Sequence, residues 1–282
     1  DSKKEVVKTS FNFKEMIEQF KSFLLKSNLA TNTIDSYVWT VRYFLEKYPI
    51  INKPNLMAYK NFLLDKYKAQ TVNLRLQAIN KYLDFVKKGS LKMSFVKVQQ
   101  KNFLEHVISH ADYLFLKAQL KKDGYQDWYF LVWFLTATGA RVSELIQIKA
   151  EHLTQGYLDL YSKGGKVRRL YIPKLLREES SLWLKEKGIT SGYIFLNRFG
   201  KRITPRGIAQ QLKVFAYKYQ LNPKVVYPHS FRHRFAKNFL ERFNDLTLLA
   251  DLMGHESIET TRIYLRRTAS EQQTIVDTVV NW

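Results

Sequence analysis

The 282-residue sequence contains no cysteine, which excludes disulfides, thiolate catalysis and cysteine-based zinc sites. It lacks any run approaching the roughly 18 apolar residues that span a bilayer, and its start lacks the apolar core of a signal peptide, so no membrane partner is expected. Internal repeats and low-complexity segments are absent. Acidic side chains are scarce, 25 Asp and Glu against 46 Lys and Arg, for a net charge of +21. The excess is not a tail: residues 1–100 hold 18 basic and 8 acidic side chains, and the remainder 28 and 17. Two basic folded halves suggest a clamp around a polyanion, whereas a merely solvated charged surface usually balances its signs. Nucleic acid is the favoured partner. The hydrophobic fraction of 45% is that of a globular protein, and the length suits two domains. Asp1 in place of an initiator Met implies a chain that begins inside a longer protein or after trimming.

Apolar periodicity predicts a mainly helical protein. Phe13, Met16, Ile17, Phe20, Phe23 and Leu24 recur at helical spacing, as do Ile34, Tyr37, Val38, Val41, Phe44 and Leu45 behind a cap region at Thr31-Asn32-Thr33. Further helices are expected over about 55–67 and 71–87, completing a compact four-helix domain over 11–88 after an N-terminal segment 1–10. Lys60, Lys66, Lys68, Arg75 and Lys81 line the later helices and as a group are expected to meet phosphates. Residues 89–100, with Gly89-Ser90 and several Lys and Gln, read as a linker. The second domain, 101–267, centres on the apolar helix 125–138. Two strands, 157–161 and 167–172, flank Ser162-Lys163-Gly164-Gly165-Lys166 as a hairpin, a small antiparallel sheet in an otherwise helical domain. Helices follow at about 174–187, 205–219, 230–243, 246–253 and 258–265, and residues 268–282 form a tail with Ile275, Val276, Val279 and Val280 apolar.

Five stretches of the second domain carry chemistry. In T-G-A-R-V-S-E-L, Arg141 follows Gly139-Ala140 at a helix entrance with Glu144 on the same face. Its planar fork suits two nonbridging phosphate oxygens, although for R-x-x-E in isolation a local ion pair on a solvated helix is the better reading. In S-K-G-G-K, glycines let the backbone turn sharply beside Lys163, a potential proton donor near other cations. Lys166, Arg168 and Arg169 crowd the same hairpin and would grip a DNA backbone. In H-S-F-R-H, His229 and Arg232 project to one side of a helix N-terminus, an anion site reinforced by free N–H groups. His229 and His233 are spaced like metal ligands, but the Glu of H-E-x-x-H is missing and no carboxylate is near, so no metal is expected. His255 closes L-M-G-H, and Tyr264 closes T-T-R-I-Y nine residues later, on a short polar helix rather than an apolar stripe.

Arg, Lys, His-x-x-Arg, Gly-His and a final Tyr, in that order, resemble the tyrosine site-specific recombinases, which include phage integrases, Xer proteins and integrases of mobile elements. Ala140 and Phe231 replace the commoner leucines of that pattern, with no chemical consequence. The resemblance is sharp over 101–265 and only architectural over 11–88, where the family has a helical core-binding domain. It implies that Tyr264 attacks a scissile phosphate to leave a 3′-phosphotyrosyl link and a free 5′-hydroxyl. Arg141 and Arg232 would stabilise the equatorial oxygens, helped by His229 and His255. Lys163 would protonate the leaving oxygen, His229 could accept the tyrosine proton, and Glu144 would orient Arg141 or a histidine. No metal or nucleotide cofactor is implied. Expected partners are double-stranded DNA core sites, a homo-tetramer on two duplexes joined by the tail, and accessory DNA-bending proteins, with the protein on DNA in the cytoplasm. The rivals are a type IB topoisomerase, with a similar residue set, and a non-catalytic DNA-binding protein.

Overall fold

A computed structural model describes residues 2–98, 106–161, 167–255, 258–265 and 269–280. The chain divides into two compact units, 1–100 and 101–282, and the fold is mainly helical with one small antiparallel sheet.

The first unit comprises α1 (Ser2–Leu25), α2 (Thr31–Lys47), α3 (Lys53–Lys66) and α4 (Ala69–Phe85). Residues 2–10, set apart in the sequence reading, continue α1. The cap expected at Thr31-Asn32-Thr33 is not made by a side chain, because α2 starts directly after an extended Ala30. By contrast, Asn52 caps α3 by accepting from the Asn55 amide at 2.9 Å, with a proline in the first turn. Helix α4 packs against the other three and buries Val72, Leu76, Ile79, Tyr82 and Leu83. Tyr82 meets Phe20 edge-on at 5.2 Å, and Phe44 meets Tyr59 at 5.0 Å, so aromatic pairs set the layer spacing. The stretch read as a linker stays on this unit through Val96. Asn80 holds both backbone groups of Met93, and Asn73 both of Val96, at 2.8–2.9 Å, while Met93 is buried in the core. An extended strand without sheet partners must satisfy its amides somehow, and two asparagines on one helix face do it here.

The second unit is built around α6 (Gln126–Thr138), which is apolar on nearly every side and packs against α5 (His110–Lys122), α9 (Lys174–Glu186) and α11 (Pro228–Arg242). Ser230 and Arg234 of α11 hold the Ile108 backbone at 2.7 and 2.8 Å and so fix the entry to α5. The short α7 (Val142–Leu145) follows α6. A further helix absent from the sequence reading, α8 (Ala150–Gln155), is closed at its start by His152, whose Nδ1 accepts from the Lys149 amide at 3.0 Å. Strands β1 (Tyr157–Tyr161) and β2 (Val167–Tyr171) pair antiparallel, from Tyr157 opposite Tyr171 to Tyr161 opposite Val167. The hairpin tip with Lys163 and Lys166 lies outside the described residues. Helix α10 (Pro205–Lys218) is capped by Thr204, and α12 (Leu246–Met253) by Asp245. The chain continues through α13 (Ile258–Arg262), a 3₁₀ turn over Ile263–Leu265 and α14 (Ala269–Val279). Val276, Val279 and Val280 of the last segment are exposed.

Candidate active site

Two helix ends and one carboxylate organise the site. Helix α6 stops at Gly139, whose left-handed φ of 65° turns the chain. A Cβ there would overlap the Phe235 ring, so both the turn and the packing of α11 require glycine. The turn exposes the Gly139 carbonyl to Arg232 Nη1 at 2.5 Å and delivers Arg141 to the start of α7. Glu144 accepts from the Arg141 amide at 2.7 Å and from its Nη1 at 2.8 Å. The local Arg–Glu pair weighed in the sequence is therefore real, but it is not a solvated surface pair. The Glu144 side chain is 12% exposed and also contacts Arg168 of β2 and, at 3.9 Å, Arg232. Burial alone would raise the Glu144 pKa, but the Arg168 and Arg141 bonds outweigh it and hold the carboxyl below its ordinary value.

The second helix end is that of α12. Its last carbonyls lack helical partners and carry the negative pole of the helix. Three guanidiniums use them in turn: Arg168 bonds the Leu252 carbonyl at 2.5 Å, Arg232 that of Met253 at 2.7 Å and Arg141 that of Gly254 at 3.3 Å. Arg232 also reaches His255 Nε2 at 3.2 Å, and His255 Nδ1 lies 2.7 Å from Thr261 Oγ1. A guanidinium only donates, so Nε2 must be the acceptor and Nδ1 carries the proton towards Thr261. That fixes a neutral His255, consistent with burial and the surrounding arginines pushing its pKa down to about 4.

Tyr264 is buried at 6% exposure, with its hydroxyl 3.0 Å from His233 Nδ1 and its ring stacked 6.2 Å from His255. Burial raises its pKa, partly offset by Arg232 and Arg141. His233 is pushed down to about 4 by burial and by the neighbouring His229, Arg232 and His255; a neutral imidazole can accept the phenol proton's hydrogen bond. His229 lies one turn away, its ring 6.3 Å from His233 and its face open to solvent, its pKa lowered by partial burial, Arg232 and Arg141. A groove of about 660 Å³ opens beside Arg141, Glu144, Arg168, Gly254 and His255, with Tyr161 and Tyr171 of the hairpin on its far wall.

The structure thus brings Arg141, Glu144, His229, Arg232, His255 and Tyr264 together, while Lys163 is outside the described residues. His233 entered the sequence reading only as a poor metal ligand. Its adjacency to Arg232 was the available signal, but nothing in the sequence says that the chain after α12 folds back onto it. Arg168, expected from the sequence to grip a DNA backbone, has a side chain only 12% exposed and turned onto Glu144 and α12. Strand alternation explains this: Arg168 and Leu170 face inward, while Arg169 faces out, binds Asp159 through two bonds of 2.8 and 2.9 Å and covers the Tyr157 ring. In the first unit, Lys66 and Lys68 are exposed and Lys81 is partly so. Lys60 bonds the Ser94 carbonyl at 2.7 Å, and Arg75 stacks on Trp39 and Tyr67 at 4.5 and 5.0 Å.

The model of the phage integrase family matches residues 100–271. The chain is similar to tyrosine recombinase XerA of Pyrococcus furiosus, 29% identical over 272 residues that cover 93% of each protein. It is also similar to tyrosine recombinase XerC of Pseudomonas putida, 37% identical over 133 residues, 45% of this chain and 44% of the relative. Among solved structures, the Tn1549 transposon integrase in complex with transposon right end DNA superposes with a TM-score of 0.69 at 14% identity, covering 94% of this chain and 99% of that one. XerH bound to its difH substrate does so with a TM-score of 0.67 at 18% identity, covering 88% and 79%. At these identities the structural likeness speaks for the fold.

Proposed function

We propose, because this chain belongs to the phage integrase family and buries Tyr264 beside two arginines and two histidines, that it exchanges DNA strands through a 3′-phosphotyrosyl intermediate. It is a tyrosine recombinase acting in site-specific DNA recombination. In the reaction we infer, Tyr264 Oη attacks the scissile phosphorus and the bond from phosphorus to the 5′-oxygen breaks. The phenol proton passes to an adjacent imidazole, and Lys163 returns a proton to the leaving 5′-oxygen. Attack by the 5′-hydroxyl of another strand reverses each step, so the phosphodiester energy is kept in the covalent link. Arg141 and Arg232, fixed before substrate arrives, face the charge that develops on the equatorial oxygens, which is where preorganised donors act most strongly. This charge stabilisation calls for neither metal nor nucleotide cofactor.

The observation that carries this reading is the hydroxyl of Tyr264 held 3.0 Å from His233 Nδ1, under the field of Arg232 and Arg141. Of the two histidines, His233 is in contact with the phenol and is the better placed to take its proton. The experiment is an incubation with a random-sequence pool of nicked duplexes, resolved under denaturing conditions. A protein–DNA adduct that forms with the wild type and vanishes with Tyr264→Phe supports the reading; equal behaviour of the two proteins leaves a DNA-binding protein. We further propose that basic side chains of the first unit, the exposed Lys66 and Lys68 and the partly exposed Lys81, meet the phosphates of double-stranded core sites. The apolar residues Val276, Val279 and Val280 are proposed to dock on a neighbouring subunit in a tetramer that joins two duplexes, of a mobile element or of DNA to be resolved. Deletion of 268–282 should then abolish pairing of duplexes while leaving single-site binding intact. Among the described residues no helix is long and apolar enough to cross a membrane, and we place the protein on DNA in the cytoplasm.

A further inference from the structure

Three arginines converge on the last turn of α12 through its successive carbonyls. Tyr264 feels Arg232 and Arg141, whereas Arg168 bears on Glu144 and His255. Both terminal nitrogens of Arg168 are engaged in scaffold contacts, one with the Glu144 carboxylate and one with the Leu252 carbonyl. The aliphatic part of the same side chain passes so close to Gly254 that a Cβ at that position would overlap Arg168 Cδ. Gly254 also takes a left-handed φ of 62°, so the glycine of L-M-G-H answers two demands at once, the helix end and the passage of Arg168. The residue after it is His255, and the carbonyl of Gly254 itself holds Arg141. Arg168 therefore joins three separate elements, β2, the start of α7 and the end of α12, at the point where two site residues depart from them.

We propose that Arg168 is a positioning residue, which by tying Glu144 to the end of α12 sets Arg141 and His255 in register for the phosphate and does not itself grip DNA. The inference rests on the recombinase reading of this site. It assigns to the hairpin a role beyond presenting its tip: strand β2 braces the wall against which the phosphate would be held. Displacing the brace leaves Glu144 with fewer cations and lets the α12 end move, and a misplacement of even about 1 Å is costly for a reaction that depends on alignment.

The test compares wild type, Arg168→Ala, Arg168→Lys and Gly254→Ala with the random-sequence pool of nicked duplexes, measuring binding, adduct formation per bound complex and, without DNA, the titration of His255 by NMR. For Arg168→Ala the expected result is adduct formation slowed about 100-fold per bound complex, with affinity and its salt dependence unchanged. The His255 midpoint should rise, because a cation that depresses it is gone, and Arg168→Lys should restore part of both effects. Gly254→Ala, which displaces the same side chain, should reproduce the pattern and combine with Arg168→Ala less than additively. Weakened affinity with a salt slope shallower by about 0.9 and an unchanged rate per complex would make Arg168 a phosphate contact and overturn the proposal. An unmoved His255 midpoint in folded Arg168→Ala, or in Gly254→Ala should the first variant not fold, would reduce it to a general stability role and overturn it equally. Failure of the wild type to form any adduct would instead remove the recombinase reading, a separate outcome that the histidine titration does not depend on.

Discussion

Both units are basic, yet they use their cations in opposite directions. In the first, Lys66 and Lys68 are exposed, Lys66 with its ammonium over the Phe62 ring, and Arg75 lies over Trp39 and Tyr67, where an aromatic face supports a cation without neutralising it. In the second, Arg141, Arg168 and Arg232 turn onto one carboxylate and three successive carbonyls. The first arrangement leaves charge available to a polyanion at any register. The second spends most of its hydrogen-bonding capacity on fixing direction, so that little movement is needed when one phosphate arrives. A surface cation is a contribution to affinity; a braced cation is a contribution to rate.

The contrast breaks first at Glu144. Removing the carboxylate with Glu144→Ala leaves three guanidiniums facing one another, and a broken buried pair typically costs about 3–5 kcal/mol. Urea unfolding should show a loss of that order confined to the second unit; a loss below ~1 kcal/mol, the usual range of exposed pairs, would mean that these arginines behave like surface charges after all. Next comes Arg232→Lys. The fold should persist, because the ammonium can still reach the Gly139 or Met253 carbonyl, but the fork that holds both and His255 is lost. Adduct formation on the nicked pool should fall about 10²–10³-fold with affinity nearly unchanged, the scale of losing one preorganised donor.

The same contrast explains what the sequence reveals. A helix with an apolar stripe, such as α2, is legible because burial imposes a period, α6 because it is apolar almost throughout, and the hairpin because alternation flanks a Gly-Gly. The stretches that hold Arg141, Arg232, His255 and Tyr264 are legible as a set because side chains suited to a phosphate recur in them, and the structure draws them together. Direction is not legible. Arg168 and Arg169 are neighbours of one type, and only the pairing of β2 with β1 decides that one faces Glu144 and the other Asp159. Likewise, His233 reaches Tyr264 across 31 residues of chain, a contact made by the return of the segment after α12 and not by any local pattern. Asn73 and Asn80 gave no sign that they would hold residues 93–96, since a single asparagine on a helix looks the same whether it meets water or a strand.

A third, smaller effect separates the units by pH. His233 and His255 are pushed down to about 4 in the folded protein, against about 6.5 in an unfolded chain. As pH falls from about 6.5 towards 4, the unfolded chain takes up protons that the folded site refuses, so stability declines across that window and flattens below it. His233→Gln should make the decline shallower by at most about 1.4 kcal/mol per pH unit, measured by urea unfolding between pH 4 and 7. Glu144 acts lower down: its depressed pKa stabilises the fold above the ordinary value of 4.5, and that stability is lost as pH falls through the folded value. Glu144→Gln therefore alters the acid end of the curve and His233→Gln the middle. If His233→Gln leaves the slope untouched, His233 titrates alike in the folded and unfolded chain, and its burial does not hold it neutral for Tyr264.

The smallest effect is the sharpest test of the surface half of the comparison. Lys68 is exposed at the start of α4, whereas Lys60 donates to the Ser94 carbonyl at 2.7 Å and to its hydroxyl at 3.2 Å. Both are lysines of the same unit, so composition cannot tell them apart. Lys68→Ala should weaken binding to duplex DNA and make the slope of log affinity against log salt shallower by about 0.9, one neutralised phosphate, with the rate per bound complex unchanged. Lys60→Ala should instead lower the unfolding free energy by about 1 kcal/mol through loss of the strap over residues 93–96, with the salt slope retained. Should Lys60→Ala alone change the slope, its ammonium leaves Ser94 for DNA, and the bond to Ser94 belongs to the unbound protein only.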